Sequence, residues 1–337
     1  MKPFCPHLEL VDTHASGDPE SGILNPELLK PDTAAYNRDS GRDRVTDFSL
    51  IEIHSEFKVD THDDAFRDDT PDSIEHDTEA SRDTKGQITS YAVAQLATQF
   101  RSHLFSILIC GGYARPLRWD RSGAVVSQAF NYSNRYLAEF YWRYDHSTPE
   151  DRGIDISVSE PLADEATLAR QHLKLDSWVP LVKFAVYHED DEGISYYIGS
   201  KPTFKGNASP TGRATRTFIV FDLLTGEVVF LKDTWRIDLP DMAKEGEIYT
   251  ALHKAKVSHI PPFVRGEDIP HQRTLAQDFV SAWWARPIAR PLRPHQHYRL
   301  VLGVVGRDLM SFDSSWELVN ATKDALQGAL CFDMSRS

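Results

Sequence analysis

GRATRTFIVFDLLTGEVVFLKDTWRI, residues 212–237, and EGEIYTAL, residues 245–252, set the architecture of the second half of the chain. RTFIVFDL and EVVFLKDTW are rich in β-branched and aromatic residues, and Leu224-Thr225-Gly226 between them is a turn signal, so the spacing predicts an antiparallel strand pair. A helix is expected next, starting around Pro240, with Ile248, Leu252 and Ala255 as its apolar stripe. SYYIGS (195–200) precedes the pair as a further strand, and HYRLVLGVVG (297–306) follows as a buried one. Ser314-Ser315-Trp316-Glu317 is a capping box that opens a last helix running towards Leu330.

The first half has its own pattern. Residues 1–24 read as a loosely ordered tail, and strands are expected around 32–36 and 47–58. GQITSYAVAQLATQFRSHL (86–104) predicts a helix with Val93, Leu96, Ala97, Phe100 and Leu104 towards a core. FSILICG (105–111) is a short buried-strand run, and ARPLRW, the turn DRSG (120–123) and AVVSQAF form a hairpin. A helix over 133–148 carries Leu137, Phe140 and Tyr141 on one face. The fold class is mixed α/β (α+β): one domain at 25–148, a connector at 149–194 and a second domain at 195–337.

The charge balance excludes a basic nucleic-acid coat: 50 acids against 37 Lys plus Arg give −13. Residues 59–84 hold ten of those acids and two arginines, and read as a solvated acidic loop. No apolar run reaches the roughly 18 residues of a membrane span, and the first residues lack a secretory pattern. Cys5, Cys110 and Cys331 are too few for a disulfide framework, which points to an intracellular home, cytoplasmic or nuclear.

Strand, turn, strand with a lysine, helix with a glutamate, then an apolar strand is the order of a protein-kinase small lobe. A Lys on such a strand holds nucleotide phosphates, and a helix Glu holds the Lys. Lys232 takes the first role, and Glu247 is expected in the second ahead of Glu245. The blocks already quoted, with SHIPPFVRGEDI (258–269), HQRTLAQDFV (271–280) and HYRLVLGVVGRDL (297–309), closely resemble the fungal-type protein kinase family, as do GQITSYAVAQLATQFR and RGID (152–155) in the first half. The resemblance implies ATP-dependent phosphorylation of Ser or Thr in proteins, with magnesium. It places Gly212 in the glycine loop and Gly303 and Val305 at the hinge beside an adenine ring; separately, Trp283, Trp284 and the proline-rich 285–294 read as a connecting loop over the small lobe. Departures are clear. Gly212 and Ala214 stand where two glycines are usual, Phe230 replaces a small residue two before the lysine, and no HRD or DFG triplet occurs. The expectation is a chain truncated before its catalytic loop, inactive in phosphate transfer, that binds at most a nucleotide or a partner protein; the alternative is a truncated gene product without function. Val319, Leu326 and Leu330 would then form an exposed apolar face on the cut helix.

Pro31-Asp32, Glu56-Phe57-Lys58 and Gln87-Ile88-Thr89-Ser90-Tyr91 form a second constellation, which resembles the PD-(D/E)xK nuclease pattern. Asp32 and Glu56 suit a shared magnesium ion through hard oxygen ligands. Lys58 shares a strand face with Glu56 and suits an attacking water. Nucleic acid is a partner only under this alternative. His295 and His297 read as a surface loop, Arg115, Arg118 and Arg121 as partners of Asp120 and nearby acids, and Cys110 as core.

Overall fold

The computed structural model describes residues 4–23, 27–188, 193–205, 209–288 and 290–334. It divides into two compact units, the first made of Met1–Ile156, Asn207–Ala214 and Arg273–His295, the second of Ser157–Gly206, Thr215–Gln272 and Gln296–Ser337. Both are α+β. No helix among the described residues is long and apolar enough to cross a membrane.

The first unit is one sheet between helices. Its strands are β1 (Leu8–Asp12), β2 (Thr33–Asn37), β3 (Ile51–Lys58), β4 (His103–Cys110), β5 (Tyr113–Asp120), β6 (Ala124–Val126) and β7 (Phe130–Asn131); its helices are α1 (Glu79–Thr98) and α2 (Arg135–Asp145). The strands lie in the order β1-β2-β3-β4-β5-β6, with β7 on β5. Only β3 and β4 pair in parallel, from Ile53↔Phe105 to Lys58↔Cys110. A parallel pair needs a long crossover, and α1 supplies it. Alternation along β4 sends Leu104 and Leu108 to Ile88, Ala92 and Leu96 of α1, and Ile107 and Ile109 to Tyr141 and Tyr144 of α2.

Several expectations give way here. Residues 8–12 are not tail: β1 pairs with β2 over its whole length. The long helix begins at 79, because Thr78 and Ser81 cap each other's backbone N–H groups, and it ends before Phe100. Leu104 therefore belongs to β4. Most acids of the 59–84 stretch are exposed, as expected of a solvated loop, but its middle is pinned. Arg115 is buried and donates to Asp64 at 2.7 Å and Asp68 at 2.9 Å, and Ala65 and Phe66 are buried beside it. A buried guanidinium demands such partners. The DRSG turn forms as expected, with Asp120 and Gly123 exchanging backbone hydrogen bonds.

The second unit begins well before 195. Residues of the expected connector form β8 (Val158–Ser159), α3 (Ala163–Leu173) and β9 (Val182–Tyr187). They are followed by β10 (Ile194–Gly199), β11 (Phe204–Lys205), β12 (Arg216–Asp222), β13 (Val228–Ile237), α4 (Glu245–Lys254), β14 (Phe263–Arg273), β15 (His295–Leu302) and α5 (Ser315–Met334). The sheet order is β14-β15-β13-β12-β10-β9-β8, with β11 on β12. Ala166 and Ala169 of α3 pack on Ile198 and Phe221, so this segment has an apolar face of its own to bury. The β12–β13 turn works as the sequence reads: Gly226 takes φ +75°, and Asp222 accepts from the Leu224 amide at 2.8 Å. Val319 and Leu326 on α5 are exposed, and the side chain of Leu330 lies outside the described residues.

His297 is not on a surface loop. It is buried on β15, where Nε2 meets Asp233 Oδ1 at 2.7 Å and Nδ1 meets Gln272 Oε1 at 2.6 Å. Arg299, fully buried, donates to the same Asp233 oxygen at 2.9 Å, and Arg216 reaches the other oxygen at 3.2 Å. Burial alone would raise the Asp233 pKa, but the His297 and Arg299 charges outweigh it and hold the carboxyl well below its ordinary value. A depressed folded pKa stabilises above the unfolded value of about 3.9 and is lost as pH falls through the folded one. Asp233→Asn would leave buried cations without their anion, and we expect a loss of about 3–5 kcal/mol in urea unfolding at pH 7. A loss within error of zero would show that the knot does not hold the sheet.

Candidate functional site

Alternation along β13 puts Lys232 on the face opposite Asp233. Its Nζ donates to Glu245 at 2.9 Å (Oε1) and 2.6 Å (Oε2). The expected partner, Glu247, is elsewhere: its carboxylate accepts the Lys244 backbone N–H at 2.9 Å and caps α4. The physical reason is the helix start. α4 begins at Glu245 rather than near Pro240, and residues two apart on a helix face different ways, so only the first of the two glutamates reaches the lysine.

The groups expected around that pair are less available. Gly212 takes φ +97° and donates its N–H to the Arg121 carbonyl at 2.8 Å. Both residues belong to the first unit, whereas Lys232 belongs to the second, so the Gly212 amide is already committed. Gly303 donates its N–H to Pro262 O at 2.8 Å, which leaves only its carbonyl for a ligand. Val305 is half-buried and has no backbone hydrogen bond among the described residues. Phe230 shares the Lys232 face and packs against Tyr298, Leu300 and Leu302, filling space with a ring. Lys232 and Glu245 therefore suit a phosphate better than their surroundings suit an adenine.

In the first unit the structure gathers residues far apart in sequence. Asp32 lies just before β2 and accepts the Phe57 N–H at 2.7 Å. Glu56 and Lys58 end β3 on the α1 side, and Lys58 Nζ bridges Glu56 Oε1 at 2.7 Å and Gln87 Oε1 at 2.6 Å. Tyr91, one turn along α1 from Gln87, donates its hydroxyl to Lys30 O at 3.1 Å. The second Glu56 oxygen is buried and makes no hydrogen bond of ordinary geometry, although the Tyr91 hydroxyl stands near enough to favour the charged carboxylate. Burial raises the Glu56 pKa, the Lys58 hydrogen bond opposes it, and the Asp32 charge adds to it; the net direction is up. His54, two residues back, contributes no compensating charge, because burial drops its pKa to about 4. Among the described residues no three His, Cys, Asp or Glu side chains converge to hold a metal ion. A cation here would take two protein carboxylates and otherwise water, a set that suits magnesium.

Across both units, a family model described as Fungal protein kinase matches residues 33–331. The chain belongs to the fungal protein kinase family. No curated protein and no solved structure matches it at a significant level. The family match accounts for the Lys232 strand and the helix that follows. The ionic knot around Asp233 has no local signal in the sequence: His297 and Arg299 lie 64 and 66 residues from Asp233, Arg216 lies 17 away, and no short-range pattern joins them. The Asp64–Arg115–Asp68 clamp was hidden in the same way, by a charge run that looks solvated. Arg118 does pair with Asp120, at 2.7 Å. Cys110 is a buried free thiol in the core, and the side chain of Cys331 lies outside the described residues.

A carboxyl with a raised folded pKa is destabilising when ionised. The penalty is absent below the unfolded value of about 4.3 and grows as pH rises through the folded one. Glu56→Gln is therefore expected to raise the melting temperature at pH 7 by about 2–4 °C, the equivalent of roughly 1 kcal/mol, and to give no gain at pH 4. A drop at pH 7 would mean that Lys58 compensates the charge fully.

Proposed function

We propose that the second unit is a kinase-type nucleotide lobe in which Lys232 holds the phosphates of ATP and Glu245 positions the lysine. The Lys232–Glu245 ion pair on a strand followed by a helix carries this reading, together with the family match. ATP with magnesium is what kinases of this family use, and the phosphate end is the part that these residues fit. No HRD and no DFG triplet occurs in the 337 residues, so we assign this stretch nucleotide binding and not phosphate transfer. A thermal-shift titration with Mg·ATP tests it. The melting temperature rises with ATP, Lys232→Ala abolishes the rise, Glu245→Gln weakens it, and Glu247→Gln leaves it in place. An absent shift in the parent protein, or equal effects of the two glutamate variants, overturns the assignment.

A second reading rests on the buried Glu56 oxygen that makes no hydrogen bond of ordinary geometry. Asp32 and Glu56 hold a divalent cation at the end of β3, Lys58 orients a water, and Gln87 keeps Lys58 in place, which together suit phosphodiester hydrolysis in nucleic acid. A bound magnesium ion supplies Lewis acidity there. Glu56→Ala and Lys58→Ala are each expected to remove magnesium-dependent cutting of DNA or RNA, followed by gel electrophoresis. Cutting that survives both changes rejects this reading.

A further inference from the structure

A cavity of about 640 Å³ opens in the first unit at its β6 edge, away from the residues assigned above. Its size is that of a small-molecule site. Apolar groups make most of the wall: Phe105, Pro116 and Phe140 from the sheet and α2, with Phe279, Trp284 and Leu292 from the 273–295 segment of the same unit. The sequence places its 283–294 stretch over the small lobe. It belongs instead to the first unit, held there by Asp120, which accepts the Leu275 and Ala276 amides at 2.8 and 3.0 Å. Leu292 packs on Gly123, where an added Cβ would lie 3.2 Å from it.

The charged lining is one-sided. Arg67, Arg118 and Arg286 face a single carboxylate, Asp68. Asp68 is already spent on Arg115 at 2.9 Å and the Ala129 amide at 3.0 Å, and Arg118 on Asp120 at 2.7 Å. Among the described residues neither Arg67 nor Arg286 has a carboxylate partner. Arg67 Nε is buried with no hydrogen bond at all, and Arg286 makes only a long 3.4 Å contact to the Asp68 carbonyl. Two uncompensated guanidinium groups beside an aromatic-walled cavity, in a protein of net charge −13, run against the general field of the molecule. Arg67 and Arg286 line the cavity with no carboxylate to neutralise them, and an anion set against their guanidinium groups supplies that charge.

We infer that the cavity binds a small amphipathic anion, an apolar body with one carboxylate, sulfonate or phosphate head set against Arg67 and Arg286. Trp284, whose ring lies 5.7 Å from that of Phe279, provides a flat wall for the body.

Fluorescence titration of the whole chain with 1-anilinonaphthalene-8-sulfonate, beside its uncharged analogue N-phenyl-1-naphthylamine, tests this. The sulfonate is expected to bind one-to-one and at least tenfold more tightly than the neutral probe. Arg67→Gln is expected to weaken the sulfonate roughly tenfold, the loss of one charge-assisted contact, and to leave the neutral probe unchanged, which also reports that the cavity is intact. Should Arg67→Gln lose both probes through collapse, Arg286→Gln decides by the same criterion. Equal affinity of the parent protein for both probes, or sulfonate binding indifferent to both arginine changes, overturns the inference. Displacement by 1-naphthoate but not decanoate supports an aromatic body, the reverse an aliphatic one; displacement by neither overturns it.

Discussion

The Asp233 carboxylate fixes the register of the second sheet. It binds Arg216 on β12 and both His297 and Arg299 on β15, so the three central strands are tied at one buried point. Side chains alternate along a strand, and a slip of one residue would turn every one of them to the other face. The neighbour of Asp233 is Lys232. A knot on one side of the sheet therefore determines that the lysine appears on the other, within reach of α4. Buried ion pairs contribute little net stability, and their best-attested use is to specify one arrangement over its alternatives.

In the first unit the corresponding constraint is the parallel β3–β4 pair with α1 crossing over it. That geometry delivers Gln87 and Tyr91 to the end of β3, where Glu56 and Lys58 emerge on the same face. Glu56 is held there with one oxygen lacking an ordinary hydrogen bond and its ionised form disfavoured. Local structure that opposes stability in this way is more often found at sites that do something than in plain scaffold.

Much of this was legible in the sequence, and the boundary of legibility is physical. Strand–turn–strand at 216–237 and the DRSG hairpin rest on local chemistry, turn residues and alternation, and these are written in adjacent residues. Lys232, Asp32, Glu56, Lys58 and Gln87 could be named because their types and spacing carry the chemistry. Choosing Glu247 over Glu245 failed because the choice depended on where α4 starts, and the Pro240 signal placed that start several residues early. The strand at 8–12, the segment 157–187 and the place of the loop at 283–294 escape a sequence reading for a common reason. Each is completed by partners distant in the chain, and a short amphipathic run gives no sign of which surface will cover it.

The chain passes between its two units several times, and this governs the order in which it can be built. Asp120 waits for amides that lie 155 and 156 residues further on. During synthesis at about 5–20 residues per second, the first sheet emerges many seconds before the segment that seals its β6 edge. Contacts of such separation are slow to form. A fragment ending at residue 156 would carry all of β1 to β7 and still lack the wall of its own cavity, leaving apolar surface open to aggregation or to chaperones in the interval.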